Sequence, residues 1–308
     1  MVSILLAAYQ GDRFLPEQIS SLNGQEYPNF RVLWQDDGSQ DATTQLLQSA
    51  GPRFVSGCDQ GLHLGAVGNF LSLMRQDDAP YTALCDQDDV WHADKLSRCM
   101  AAMKAAEAAH GSDTPLLVHH DCRLVDAKGR VLHESFFHHQ GWDGRVNTLA
   151  PLLVQNNVTG CTCVMNTALR RLVTAHADPA QLFMHDWFIA LTAAAFGKIL
   201  FVDEPLVDYR QHGSNAMGAS RQGLLRRSFG ALSAPKRAKA RIRLTYQHAR
   251  MFRDAFGEAL PPEAQRIIDA YLQTQGLPLS KRIRALRSGG YLMQSRIARL
   301  GQIIFGHE

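Results

Sequence analysis

The sequence predicts an α/β fold: a Rossmann-like, mostly parallel central sheet flanked by helices, with a basic helical extension at the C-terminal end. Three observations predict it. Strand-like and helix-like segments alternate through the front of the chain, which is the rhythm of βαβ units. The first strand-like segment, VSILLAAY at 2–9, is apolar without interruption and suits a strand buried on both faces. Charge is unevenly divided: residues 221–308 hold 17 Lys and Arg against 5 Asp and Glu, a net of +12, whereas residues 1–220 hold 15 against 24, a net of −9. An acidic front part and a basic end part imply different partners.

Taken in order, residues 12–24 repeat apolar side chains at Phe14, Leu15, Ile19 and Leu22, which is helical spacing. FRVLWQDD at 30–37 reads as a second strand, stopped by DDGSQDA, where Gly38 permits a turn and Asp41 caps a helix over 42–50. A short strand near 53–56, a helix over 65–76 and a strand over 81–85 follow. From residue 116 the texture changes. LLVHHDCRLVDAKGRVLHESFF reads as two strands around a DAKG turn, followed by a loop at 138–147 rich in Gly, Trp and His. VTGCTCVMN at 158–166 reads as another strand, 185–196 as a helix, and KILFVDEPLVDYR as a strand bent at Pro205. Beyond Asn215 the chain reads as helical and basic, with breaks at Pro235, Pro261–Pro262 and Pro278.

With 45% hydrophobic and 20% charged residues the composition is that of an ordinary globular chain, and disorder is not expected. No run reaches the roughly 18 apolar residues of a spanning helix. The N-terminus meets Asp12 and Arg13 at once, so it reads as a strand and not as a signal peptide, and the expected location is cytoplasmic. Cysteines 58, 85, 99, 122, 161 and 163 form no CxxC pair and read as buried, reduced thiols. Cys161 and Cys163 alternate as on a strand, which argues against a zinc knuckle.

The informative residues are acids at strand ends. In open α/β sheets ligands lie beyond the carboxyl ends of the strands, and Asp36, Asp37, Asp86, Asp88 and Asp89 all sit there. Carboxylates crowded together raise one another's pKa unless a cation relieves the field. A hard divalent ion takes oxygen ligands and shares its shell with substrate phosphates. Read alone, Asp36–Asp37 serves equally well as a turn.

VSILLAAYQGDRFLPEQISSL, DDGSQD, DQDDVWHADKL, TGCTCVMN, HDWFIA and YRQHGSN resemble, in this order, the motifs of the family 2 glycosyltransferases with the GT-A fold, in particular the rhamnosyltransferase-like members. The resemblance covers about residues 1–220. It implies a catalytic domain over 1–220, binding the nucleotide-sugar with 1–115 and the acceptor with 116–220; residues 221–308 read, by their basic composition, as a helical C-terminal extension. It implies a nucleotide-sugar-binding set of Ala8, Tyr9, Asp37, Asn69, Asp86 and Gln87, with Tyr9 against the base, Asp37 accepting from the base imide and Asp86 facing the ribose. Asp88 and His212 would hold Mg²⁺ or Mn²⁺, and Asp186 would be the catalytic base. Asp89, Trp187 and Arg210 join the site by position in the matching motifs.

The resemblance further implies a dTDP- or UDP-sugar donor, L-rhamnose among the candidates, and a glycan or lipid-linked saccharide acceptor. Chemistry agrees with these roles: a bound cation stabilises the charge on a departing diphosphate, and an acceptor hydroxyl must lose a proton as it attacks. Asp186 opens an apolar helix beside Trp187, where burial would raise its pKa; a single base without a nucleophile implies inversion. As plain structure, Asp186 would cap its helix, His212 would be a loop histidine and Tyr9 a core aromatic.

The sequence departs from many relatives in having Ala7–Ala8 for Pro-Thr, and it lacks the QxxRW box of polymerising members. HHDC at 119–122 and FFHHQ at 136–140 read as polar strand residues near the acceptor, because alternation sends adjacent His side chains to opposite faces. GLHLGAVGNF at 61–70 has no P-loop pattern, which excludes that NTPase class. A sugar nucleotidyltransferase wants a glycine-rich, basic loop after the first strand, which AAYQGDRFLPEQ does not supply. A nucleic-acid-binding role through the basic tail finds no motif and an acidic front half. The tail's basic residues, mixed with Phe229, Leu232, Ile242, Leu244 and Phe252, suit either an anionic membrane surface at the inner face of the cytoplasmic membrane or packing on the catalytic domain.

Overall fold

The apolar N-terminal run forms the middle of the sheet. The computed structural model describes residues 1–212 and 234–305. The first half alternates as the sequence predicts: β1 (Val2–Ala8), α1 (Leu15–Asn23), β2 (Phe30–Asp36), α2 (Thr43–Gln48), β3 (Phe54–Ser56), α3 (Gly65–Gln76), β4 (Tyr81–Asp86), β5 (Val90–Trp91) and α4 (Lys95–His110). The middle holds β6 (Leu116–Asp126), β7 (Val131–His133), α5 (Phe136–Gln140), α6 (Leu149–Val154), β8 (Val164–Asn166), α7 (Thr167–His176), α8 (His185–Phe196) and β9 (Lys198–Gln211). Four helices follow: α9 (Ala234–Phe256), α10 (Pro262–Gln273), α11 (Leu279–Ser288) and α12 (Arg296–Phe305).

Among the described residues one sheet runs β3-β2-β1-β4-β8-β6-β9-β5, with β7 beside β6. β1 pairs in parallel with β2 and β4, β2 with β3, and β6 along most of its length with β9. The short β8 runs antiparallel between β4 and β6 and joins the two parallel blocks into one curled, mostly parallel sheet. Alternation divides β1 between two core layers. Val2, Ile4 and Leu6 pack against α1 and α4 residues such as Leu15, Leu22, Leu96 and Met100, while Leu5 faces the layer of α3, α7 and α8. Burial on both faces is what an uninterrupted apolar strand requires.

That second layer extends into the C-terminal helices. Ile242, Tyr246, Phe252 and Phe256 of α9, Ile268 and Tyr271 of α10 and Leu286 of α11 share a core with Leu152, Trp187 and Phe188. The Trp187 indole lies on the His248 ring at 4.3 Å, and its Nε1 donates to the Leu152 carbonyl at 2.7 Å. The described part of 221–308 therefore packs on the catalytic part, with Ile242 and Phe252 in the shared core. Phe229, Leu232 and Gly213–Asn215 of the YRQHGSN motif lie outside the described residues.

Three local expectations are corrected. Residues 158–166 are not one strand: Gly160–Thr162 form a 3₁₀ turn and only Val164–Asn166 are extended. FFHHQ is a short helix, capped by Ser135, whose hydroxyl accepts from the His138 N–H. Pro235 sits in the first turn of α9, where its missing N–H costs nothing. The breaks at Pro261–Pro262 and Pro278 fall at helix starts as expected.

Candidate active site

Register sets the site. Ala8 lies beside Asp36 and Ala7 beside Asp86, so β1, β2 and β4 end level and release Tyr9, Asp37 and Gln87 along one edge. A cleft of about 990 Å³ opens there, lined by Ala8, Tyr9, Asp37, Asn69, Asp86, Gln87, Asp88, Asp186 and Trp187 among others. Its far wall comes from α9, through Arg241, Leu244 and Thr245. The sheet and the C-terminal helices thus enclose one space.

The two acids after β2 do different work. Asp36 is a turn residue: it accepts from the Ser39 N–H at 3.2 Å, the Ser39 hydroxyl at 2.5 Å and the Thr44 hydroxyl at 2.6 Å. Asp37 faces the cleft and accepts from the N–H groups of Leu64 and Gly65 at 2.5 and 2.8 Å, at the start of α3. Between these acids and Ser39, Gly38 holds φ near +93° with the His63 ring against its Cα, so a side chain there would be strained and would clash. Asn69 donates to the Gln35 carbonyl at 3.2 Å and leaves its Oδ1 unpartnered in the wall.

Gln87 braces the first strand. Its Oε1 accepts from the Tyr9 N–H and its Nε2 donates to the Tyr9 carbonyl, both at 2.8 Å. Tyr9 itself is half exposed and not a core aromatic. Arg210, almost fully buried, braces the acid loop from behind. It donates from Nε to the Asp88 carbonyl at 2.9 Å, from its backbone N–H to Asp89 Oδ1 at 3.2 Å, and to Glu17 at 2.5 Å. His212, the last residue of the YRQH segment described, stands with Nε2 at 2.6 Å from Asp88 Oδ2.

Electrostatics separate the acids further. Burial, then the charges of Asp88 and Asp186, raises the Asp86 carboxyl to about 7, with Lys95 offsetting part of the rise. Burial alone raises Asp186 to about 7, against a pull from the Trp187 and Gly160 backbone groups; its Oδ1 has no protein partner. Asp89, fully buried, is pushed well above the usual carboxylate range by desolvation and by Asp88.

Sequence reasoning missed Lys95. Its ammonium is fully buried, donates to the Cys161 carbonyl at 2.6 Å and lies over the Trp91 ring at 3.2 Å. Burial lowers its pKa, and its charge offsets part of the rise at Asp86. Asp86, Asp89 and Cys161 offer ligand atoms within 4.8 Å of one another. The Cys161 thiol is held protonated by the Cys122 contact and by burial, so this inner trio is no site for a hard ion. Asp88 lines the cleft, and with His212 Nε2 beside its Oδ2 it sets an oxygen and a nitrogen together as candidate ligands for a divalent ion.

His185 was missed as well: burial lowers it to about 4, so the imidazole is neutral, and both ring nitrogens lack protein partners beside Asp186. Its signal was adjacency within HDW. HHDC supplies no joint ligand set: His119 packs on Phe137 and Phe201, while His120 Nδ1 contacts the Asp121 carbonyl at 2.6 Å.

A family model for glycosyl transferase family 2 matches residues 3–171. The dTDP-rhamnosyl transferase RfbG of Shigella flexneri is 25% identical over 231 residues, spanning 70% of this chain and 74% of that protein. An uncharacterized glycosyltransferase of Nostoc sp. is 27% identical over 223 residues, spanning 70% of this chain and 66% of its own length. Among solved structures, S. aureus TarS 1–349 in complex with UDP-GlcNAc superposes with a TM-score of 0.56 at 14% identity, over 98% of this chain and 88% of that one. Mannosyltransferase PcManGT from Pyrobaculum calidifontis, in complex with GDP-Man and Mn2+, also scores 0.56 at 14% identity, over 96% and 76%. These two likenesses are of fold.

Proposed function

Because the chain belongs to glycosyl transferase family 2, we propose that it moves a sugar from a nucleotide-sugar to a hydroxyl of a glycan or lipid-linked acceptor, by a single inverting displacement. The observation that carries this reading is one cleft in which Asp37, Asp86, Asp88 and Asp186 converge and Asp186 keeps a free carboxylate oxygen near pKa 7. The donor's nucleotide lies along the ends of β1, β2 and β4, with Tyr9 against the base, Asp37 and Asn69 beside it and Asp86 toward the ribose. The likeness to a dTDP-rhamnosyl transferase and to a protein that binds UDP-GlcNAc supports a dTDP- or UDP-sugar, with L-rhamnose as the first donor to try.

The acceptor enters between α8 and α9, where Arg241 offers a cation to an acceptor phosphate. The acceptor oxygen attacks C1 of the sugar as its proton passes to Asp186. The C1–O bond breaks, and the nucleoside diphosphate leaves with the bonding electrons. A group with a pKa near ambient pH is well matched to that transfer. Asp88 and His212 would hold a divalent ion, which supplies Lewis-acid charge to the departing diphosphate. The neutral His185 beside Asp186 adds no competing positive charge. The loop after β1, QGDRFLPEQ, is not the glycine-rich, basic loop a nucleotidyltransferase uses, which favours release of nucleoside diphosphate over pyrophosphate. Product analysis with dTDP-L-rhamnose and UDP-sugars tests this: nucleoside diphosphate is expected, and pyrophosphate would reject it.

A further inference from the structure

Helix α12 packs with its polar side inward. Gln302, nearly fully buried, donates to the Tyr291 carbonyl at 2.7 Å and accepts from the Met293 N–H at 3.1 Å. Arg282 of α11, fully buried, donates to the carbonyls of Gln302 and Ile303. These bonds fix which face of α12 meets the protein. Its other face carries Ile297, Leu300 and Ile304, which are 76%, 58% and 50% exposed. At about 100° per residue the three fall within an arc of about 60°, a continuous aliphatic stripe opposite Gln302. A buried glutamine and an exposed isoleucine row invert the ordinary partition, and such a face marks an interaction surface.

Charge says what covers it. Residues 270–305 contain no Asp or Glu, while Lys281, Arg284, Arg287, Arg296 and Arg299 are all exposed. A second copy of this chain would bring the same positive charge to the same face, whereas an anionic bilayer brings the opposite sign. The helix has ten residues, about 15 Å, too short to span a bilayer. Among the described residues no helix is long and apolar enough to cross a membrane.

We propose that α12 docks the protein in the plane of an anionic phospholipid surface, with Ile297, Leu300 and Ile304 entering the headgroup–acyl boundary and the flanking Arg296 and Arg299 meeting lipid phosphates. The inference stands on α12 alone. It also deepens the proposed transfer, because α12 packs on α9, which walls the cleft, and docking would bring that wall to a lipid-linked acceptor.

The test is sedimentation of the full chain with vesicles of phosphatidylcholine alone or mixed with phosphatidylglycerol, at low and high salt. The partner variant is Ile297→Ser/Leu300→Ser/Ile304→Ser, whose changes lie on the exposed face. The wild type binds the phosphatidylglycerol vesicles at low salt, binds them more weakly at high salt, and the triple variant binds at least about tenfold more weakly. Its nucleotide-dependent thermal shift equals that of the wild type, which shows that the fold and cleft are intact. Absence of wild-type binding at low salt, or equal binding by the variant, overturns the proposal. So does a wild-type dimer that the variant converts to monomer without any vesicle binding. Vesicle binding by a chain that transfers no sugar would count against the cleft reading and leave this one standing.

Discussion

Asp186 is the residue on which structure and chemistry meet. Its carboxyl is raised from 3.8 to about 7 by burial, so between those values the folded chain keeps a proton that the unfolded chain releases. Stability contributed by this group therefore falls as pH rises through that window. Asp186→Asn should raise the stability of the unliganded protein at pH 8 by roughly 1–3 kcal/mol, read by urea unfolding, while abolishing transfer and sparing nucleotide binding. Retained turnover would remove Asp186 from the mechanism. In the wild type kcat/KM should rise with pH and level off above about 7, since the base acts only when ionised. A profile flat from pH 5 to 8 would contradict that role. Lys95 works in the opposite sense. Lys95→Met leaves Asp86 without its buried countercharge and should cost on the order of 3 kcal/mol at pH 8. The loss should shrink at pH 5, where the Asp86 carboxyl is protonated; equal losses at both pH values would show that Lys95 matters only for packing.

At the scale of elements, the site is a consequence of strands that end together. β1, β2 and β4 could be read from sequence because burial on both faces demands apolar runs, and α1 because Phe14, Leu15, Ile19 and Leu22 recur at helical spacing. Asp36 and Asp37 looked alike in the sequence, and only the fold separates a turn residue from a cleft residue. Short elements were less legible. Gly160–Thr162 alternates like a strand yet turns, since register with β4 begins only at Val164. FFHHQ is helical because Ser135 caps it and Phe136 and Phe137 both reach the core, a tertiary effect. Lys95 was illegible for a similar reason: its neighbours Trp91 and Cys161 come from β5 and the 3₁₀ turn, far apart in the chain. The Gln87–Tyr9 pairing makes a prediction here. A Cβ on Gly11 would overlap the Gln87 amide, so Gly11→Ala should displace that brace and weaken nucleotide binding about tenfold, measured by titration. The magnitude corresponds to two lost hydrogen bonds of ~1 kcal/mol each, partly recovered by water. Unchanged affinity would mean the brace is unimportant.

For the whole molecule, charge and apolar packing draw different lines. Charge divides the chain near residue 220, but α9, α10 and α11 share a core with α6 and α8, and α9 closes the cleft. Composition reports surfaces, whereas domain boundaries follow apolar packing, and the two disagree here. Scanning calorimetry should therefore give one unfolding transition, not two. Two separated transitions would restore an independent extension. The arrangement also explains how a basic end adjoins an acidic cleft: its apolar residues in α9 and α10 complete the core, while cations such as Lys281, Arg284 and Arg287 face outward and Arg241 and Arg243 line the cleft. The account as a whole rests on the acids at the strand ends holding a cation against a sugar nucleotide's diphosphate. Calorimetric titration of UDP and dTDP, with Mn²⁺ or with EDTA, onto wild type and Asp88→Ala tests that most directly. Binding that requires Mn²⁺ and is lost in Asp88→Ala is the predicted result; equal binding with EDTA, or by the variant, would contradict it.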